Sequence, residues 1–258
     1  MSKGNKAAEK IKSESGNSRV DVMTVDMSRM ASIRAFADAF VALRLPLHVL
    51  VHNAGASSEA IKMTEEGLEE NMALNFTGVV LLTSLLLPIM KVSPPAARVV
   101  LVASSAHFQG SRQVGLSLAD CKHPVSGWVL YGSGKLNLTA YSMTLGAHLE
   151  TDEKASVTVC SLDPGFVATP FYGKSLPFPI SLFAKGAGLL AKTPEEGAHT
   201  ALLAALQPSP PPQGAYLADT VQATPSALAR DVLFQEQLMS NTMAKLQKVA
   251  PWWSGEWF

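Results

Sequence analysis

The chain has 258 residues, of which 47% are hydrophobic and 16% charged, a composition that suits one sizeable core and excludes a disordered or low-complexity protein. Its 21 basic and 21 acidic residues cancel, and no long basic run stands out, so nothing in the charge pattern supports nucleic-acid binding. Two cysteines, Cys121 and Cys160, cannot form a disulfide framework and point to a reducing, cytoplasmic setting, with peripheral membrane association left open.

Met1 to Ser18 has mixed lysines and glutamates and no apolar stretch of the kind a secretory signal carries. Asn5 to Ser15 suits an exposed helix, and Gly16-Asn17-Ser18 ends it. Val20 to Val25 alternates apolar and polar residues and predicts a strand. From Ser28 a second helix follows, with Ile33, Phe36, Ala37, Phe40 and Val41 on one face. Leu47 to Val51 is a short apolar strand, closed by Asn53-Ala54-Gly55. A long helix is expected over about Glu66 to Met90. Its most apolar part, Val79 to Met90, is too short to span a membrane and contains Thr83, Ser84 and Pro88.

Arg98 to Ala103 reads as a buried parallel strand ending in Ser104-Ser105. Gly127 to Glu150 is helical in pattern. Ser156 to Leu162 is another strand, ended by Asp163-Pro164-Gly165. Thr193-Pro194-Glu195-Glu196 opens a helix with a capping box and proline at its first position. Ala215 to Leu217 is a last short strand, and Ser226 to Lys248 a final helix. Strands alternating with helices predict a single α/β domain with a doubly wound, Rossmann-like parallel sheet over residues 1–248. The tail, residues 249–258, holds Trp252, Trp253 and Trp257, and either packs on the body or forms a contact in a homo-oligomer.

Tyr131-Gly132-Ser133-Gly134-Lys135 is the sharpest chemical feature. Residues four apart lie one above the other on a helix, so an ammonium would sit one turn from a phenol. A nearby positive charge favours the phenolate, and the pair becomes a proton donor and acceptor for an alcohol or carbonyl. Taken alone, the same spacing suits a surface tyrosine and a solvated lysine. Ser104 and Ser105 end a strand at the edge where open α/β sheets bind ligands, though a serine there also caps turns. Asn53-Ala54-Gly55 is either a turn that lets backbone approach a cofactor or an ordinary strand-to-helix turn. Asn75 is a polar residue in an apolar helix and needs buried partners or water. Pro164-Gly165, with Thr169 four residues on, ends the next strand at the same edge. No metal site emerges.

In order along the chain, Asp26, His52-Asn53-Ala54-Gly55, Asn75, Ser104-Ser105, Tyr131 with Lys135, and Pro164-Gly165 with Thr169 resemble the landmarks of the short-chain dehydrogenase/reductase family. Pro46 to Gly55 and Asn75 to Thr83 are most similar to its retinol-dehydrogenase-like and WW-domain-oxidoreductase-like branch. The resemblance implies an NAD(P)-dependent oxidoreductase, with NADP favoured over NAD by the branch alone. It implies Asn75, Ser105, Tyr131 and Lys135 as catalytic residues, with Ser104 as the alternative serine. Asp26 would meet the adenine, Asn53, Ala54 and Gly55 the adenosine ribose side, and Pro164, Gly165 and Thr169 the nicotinamide. Tyr131 and Lys135 would also contact the cofactor, and Asn75 would hold a relay water. Phe171, Leu176, Phe178, Ile180, Leu182 and Phe183 imply a small apolar alcohol or carbonyl substrate of retinoid, steroid or lipid type, or else plain core packing.

Three departures stand beside the resemblance. The 26 residues from Ser105 to Tyr131 exceed the family's usual interval and match the branch. His52 replaces the first Asn of NNAG. The opening strand, TGxxxGxG loop, helix and second strand, a unit of about 30 or more residues, are absent from these 258 residues. In the family those two strands lie between the third and the fourth, so Val20 to Val25 would lose its neighbour and Leu47 to Val51 would become an open edge. Two readings of this departure stand side by side: a piece of a longer working enzyme, or a catalytically inactive relative that serves as an interaction or dimerisation partner. An epimerase or dehydratase of the extended relatives fits less well, because no large substrate domain follows Gly214.

Overall fold

The computed structural model describes residues 2–57, 61–94, 96–117, 124–152, 156–168 and 191–255. Within them the helices α1 (Ser2–Ser15) and α2 (Met30–Ala42) lead to strand β1 (Val49–His52). Helix α3 (Glu70–Lys91), strand β2 (Ala97–Val102), a 3-10 turn (Ser105–Gln109) and the short α4 (Arg112–Leu116) follow. The second half comprises α5 (Gly127–Thr151), β3 (Val157–Asp163), α6 (Pro194–Leu206), β4 (Ala215–Ala218), β5 (Val221–Ala223) and α7 (Val232–Val249).

The strands lie in the order β1-β2-β3-β4-β5. The first four are parallel, with Val100 opposite both Val51 and Cys160. The last pair is antiparallel. The sheet is built as the β-branched run of β2 demands, with apolar residues on both faces. Val99 and Leu101 join a large core with residues of α2, α3, α5 and α7, whereas Val100, Val102, Cys160 and Leu162 pack with Ala201 and Ala204 of α6. Crossover helices on both faces of a mostly parallel sheet make the doubly wound, Rossmann-like arrangement that strand–helix alternation predicts.

Four details differ from the sequence expectation. Residues 20–25 enter no strand of the sheet, whereas β1 stands at its edge as the absence of the family's first two strands leads one to expect. A strand exists through bonds exchanged with a neighbour, and alternation alone does not supply one. Strand β5 was not expected from the sequence. Its hairpin turns through Asp219 and Thr220, both with positive φ, and that pair lacks the Asn-Gly or Asp-Gly signature of such turns. The final helix starts at Val232 rather than Ser226, because the Asp231 side chain accepts from Phe234 N and caps it there. Finally, α3 starts at Glu70 rather than about Glu66, because the Glu69 side chain accepts from Asn71 N and Met72 N and caps it there. It has the length and composition to cross a membrane, but 72% of its most apolar window is buried in the fold, as befits a core helix.

The tail is partly described. Trp253 is buried in the core, and the Arg34 guanidinium lies 4.7 Å from the centre of the Trp252 ring. Trp257 lies outside the described residues, as do Cys121, Thr169 and the apolar loop with Phe171, Leu176, Phe178, Ile180, Leu182 and Phe183.

Candidate active site

Tyr131 and Lys135 sit on the first half of α5, both buried. The glycines between them are explained by packing. A Cβ on Gly132 would come within 2.8 Å of the Ala106 carbonyl oxygen, and one on Gly134 within 3.3 Å of Asn75 Cβ. Their hydrogens let α5 press against the 3-10 turn on one side and against α3 on the other. Between them, the Ser133 hydroxyl accepts a hydrogen bond from Ser111 N at 3.0 Å. The Tyr-Gly-Ser-Gly-Lys string thus carries two chemical residues and three that hold the helix in place.

The Lys135 ammonium donates to the Val102 carbonyl at 2.7 Å, at the carboxyl end of β2. It lies 5.7 Å from the centre of the Tyr131 ring. Burial pushes the Lys135 amine down to about 8, while the charge of Asp163 pulls the other way.

Asn75 lies in a π-helical turn, Ala73–Thr77, inside α3. Such one-turn widenings cluster at functional sites. Its amide is held from both ends by one backbone unit: Oδ1 accepts from Ala56 N at 3.1 Å and Nδ2 donates to Ala56 O at 2.8 Å. Asn75 therefore fixes the chain just after Asn53-Ala54-Gly55. Beneath that turn, His52 is buried and its Nε2 pairs with Thr83 Oγ1 at 3.0 Å. The Thr83 hydroxyl donates to Val79 O, so Nε2 of His52 carries the shared proton. Burial pushes this imidazole down to about 4.

The two serines have different environments. Ser104 is buried, and its hydroxyl accepts from Ala106 N, capping the 3-10 turn. Ser105 is exposed, and its hydroxyl takes no partner among the described residues. The turn is pinned by His107, whose Nδ1 lies 2.7 Å from Ser104 O and whose Nε2 accepts from Ser226 N at 3.0 Å. With Nε2 as acceptor, the proton resides on Nδ1 and is donated to the Ser104 carbonyl.

A groove of about 600 Å³ opens over the carboxyl ends of β1, β2 and β3. Asn53, Gly55, Tyr131, Lys135, Pro164 and Gly165 line it together. These six come from three segments spread over more than a hundred residues of sequence, and the fold brings them to one edge. The opposite wall is apolar, formed by Val51 of β1 and by Ala198, Ala201 and Leu202 of α6. Sequence reasoning missed this α6 wall; the only signal for it was the spacing of small residues at Gly197, Ala201 and Ala205. Asp26 is not in the groove lining. It is exposed, and its Oδ1 accepts from the backbone N–H and hydroxyl of Ser28, which hold its carboxyl below the usual range. Ala54 is exposed beside the groove, and Ser104 and Ser105 lie next to its lining residue Ala103.

The groove combines an open backbone floor with one charged donor. Gly55 keeps its floor open: a Cβ there would stand 3.2 Å from Asn75 Oδ1 and 3.3 Å from Lys135 Nζ. The ammonium of Lys135 is a donor set on the wall. These features fit the nicotinamide and ribose end of a dinucleotide, whereas the 258 residues contain no glycine-rich phosphate turn.

The family model described as short chain dehydrogenase matches residues 1–177. Polyprenol dehydrogenase of Mus musculus is 36% identical over 246 residues, covering 93% of this chain and 72% of that protein. Retinol dehydrogenase 12 of Bos taurus is 34% identical over 246 residues, covering 92% of this chain and 72% of that protein. Among solved structures, an uncharacterized protein from Mycobacterium paratuberculosis aligns with a TM-score of 0.71 at 24% identity, over 96% of this chain and 80% of that one. At that identity the likeness speaks for the fold.

Proposed function

The chain belongs to the short-chain dehydrogenase family, in its retinol-dehydrogenase-like branch, and on that premise we propose that it interconverts an apolar alcohol and its carbonyl compound using a nicotinamide dinucleotide. The observation that carries this reading is the convergence of Tyr131 and Lys135 with Asn53, Gly55, Pro164 and Gly165 on one groove. The names of the relatives, a polyprenol and a retinol dehydrogenase, support a long apolar alcohol as the substrate class. NADP is the preferred cofactor in this reading, by the branch alone.

Tyr131, Lys135, Asn53 to Gly55 and Pro164 to Gly165 would hold the nicotinamide and its ribose. When bound, the nicotinamide supplies the hydride acceptor or donor. The chain's own residues handle the proton. Ser105 donates a hydrogen bond to the substrate oxygen, and Ser104 shapes the turn that presents it. Tyr131 takes the hydroxyl proton as the carbinol becomes a carbonyl, and returns it in the reverse direction. The Lys135 ammonium stabilises the phenolate that the proton shuttle requires. Asn75 keeps the Ala56 backbone, and with it the Asn53–Gly55 edge of the groove, in place.

The test is direct. The purified chain is titrated with NADPH and NADH while cofactor fluorescence is followed, and then assayed with retinol and farnesol. Saturable cofactor binding and turnover of these alcohols, with little on polar sugars, are expected. The interaction-partner alternative draws on the outer edge of β1, which has no strand beside it among the described residues and where Val51 is 42% exposed, and it predicts no cofactor binding in the same titration.

A further inference from the structure

Trp128 lies one helical turn before Tyr131 on α5, with ring centroids 5.7 Å apart and planes inclined at 35°. Its indole Nε1 donates to Gln109 Oε1 at 2.6 Å. Gln109 is the last residue of the 3-10 turn that begins at Ser105. One hydrogen bond therefore joins the segment carrying Ser105 to the segment carrying Tyr131, and it sets the plane of the indole beside the phenol.

Direction along the helix places this ring. A crossover helix runs against its strands, and Lys135 reaches the carboxyl end of β2 through Val102 O. Residues before Tyr131 on α5 therefore lie beyond the sheet edge, outward of the reacting groups. Trp128 is only part-buried there. Two more aromatic rings stand exposed within three residues of site positions: Phe108 on the Ser105 turn at 58%, and Phe166 after Pro164-Gly165 at 36%. Exposed rings of this size, one of them fixed in orientation, are costly to leave in water and are common where an apolar ligand binds.

We propose that Trp128 is a specificity-determining residue: its indole, oriented by Gln109, is the wall along which the chain of an elongated, unsaturated apolar alcohol lies while Tyr131 faces the carbinol. This inference rests on the oxidoreductase reading of the same site. The rigid ring offers contact area at little entropic cost, and the contact grows with the length of the ligand. A short alcohol reaches Tyr131 without touching the indole.

The experiment measures dissociation constants of farnesol and of dimethylallyl alcohol by calorimetry with the NADPH-loaded chain, in which an alcohol has no hydride acceptor and does not react. Trp128→Ala is expected to weaken farnesol binding about tenfold and dimethylallyl alcohol binding less than about twofold. Trp128→Phe, which keeps a ring, restores most of the farnesol affinity, and Gln109→Leu, which releases the indole, falls between. Unchanged farnesol affinity in Trp128→Ala, equal weakening of both alcohols, or no farnesol binding by the wild type overturns the inference. The wider reading is checked apart: normal farnesol affinity with no turnover of any alcohol by the wild type removes the oxidoreductase assignment and leaves the wall standing, and wild-type turnover by Tyr131→Phe removes only the acid/base role of Tyr131.

Discussion

The ammonium of Lys135 donates to the backbone carbonyl of Val102 at 2.7 Å, so that the helix bearing the phenol is tied to the end of the central strand β2. The same nitrogen lies 5.7 Å from the centre of the Tyr131 ring. One side chain thus sets both the position and the charge of the proposed acid/base site. Its burial is unfavourable for a cation, and the protein tolerates that cost at this position.

Replacing the lysine separates stability from function. Burial lowers the amine from 10.5 to about 8, so between these values the folded chain binds fewer protons than the unfolded one and stability rises with pH. Below pH 8 the folded state carries a desolvated charge. Lys135→Met is therefore expected to match or exceed the wild-type thermal midpoint at pH 7 while turnover falls by roughly a hundredfold or more. A midpoint several degrees lower with turnover intact would count against this assignment.

His52 predicts an acid sensitivity unrelated to catalysis. Its imidazole is held neutral by burial, at about 4 instead of 6.5. A base with a depressed value contributes stability that is present above pH 6.5 and lost as pH falls towards 4. Urea unfolding at pH 7.5 and pH 4.5 is expected to show His52→Asn losing less stability than the wild type, by an amount on the order of 2 kcal/mol. A slope identical to the wild type would refute the buried-histidine account. Some loss remains in the variant, because burial also holds His107 below its ordinary value.

The two neighbouring serines should behave differently. Ser104 caps the 3-10 turn through Ala106 N, and its removal is expected to cost about 1 kcal/mol of stability, with substantial activity retained. Ser105→Ala is expected to leave the thermal midpoint unchanged and to lower kcat by about ten- to a hundredfold. Reversal of the two outcomes would move the substrate-oxygen role to Ser104.

How much of this was legible beforehand follows from the range of each interaction. The capping box at Thr193 and Glu196 is written within four residues, and it forms as expected. The strands β2 and β3 announce themselves by β-branched runs whose apolar faces need no further context. Tyr131 and Lys135 were visible as a spacing, and their meeting with Asn53 and Pro164 as an order of landmarks. The π turn around Asn75 was not visible, because it depends on the fit of α3 against Gly134 and the Ala56 backbone. Nor was the role of α6 as the apolar wall of the groove, which depends on how it crosses the sheet. Residues 20–25 show the limit most clearly: their alternation is a strand pattern, and a strand also requires a neighbour that the local sequence does not specify.

The central claim is that Tyr131 passes the proton in an alcohol–carbonyl interconversion at the groove it shares with Lys135. The most direct measurement compares wild type and Tyr131→Phe for farnesol oxidation, with NADPH binding followed by fluorescence in both. The account predicts turnover in the wild type, its loss by a factor of about a thousand or more in the variant, and cofactor affinity changed by less than about fivefold. Equal turnover by the two proteins would contradict it.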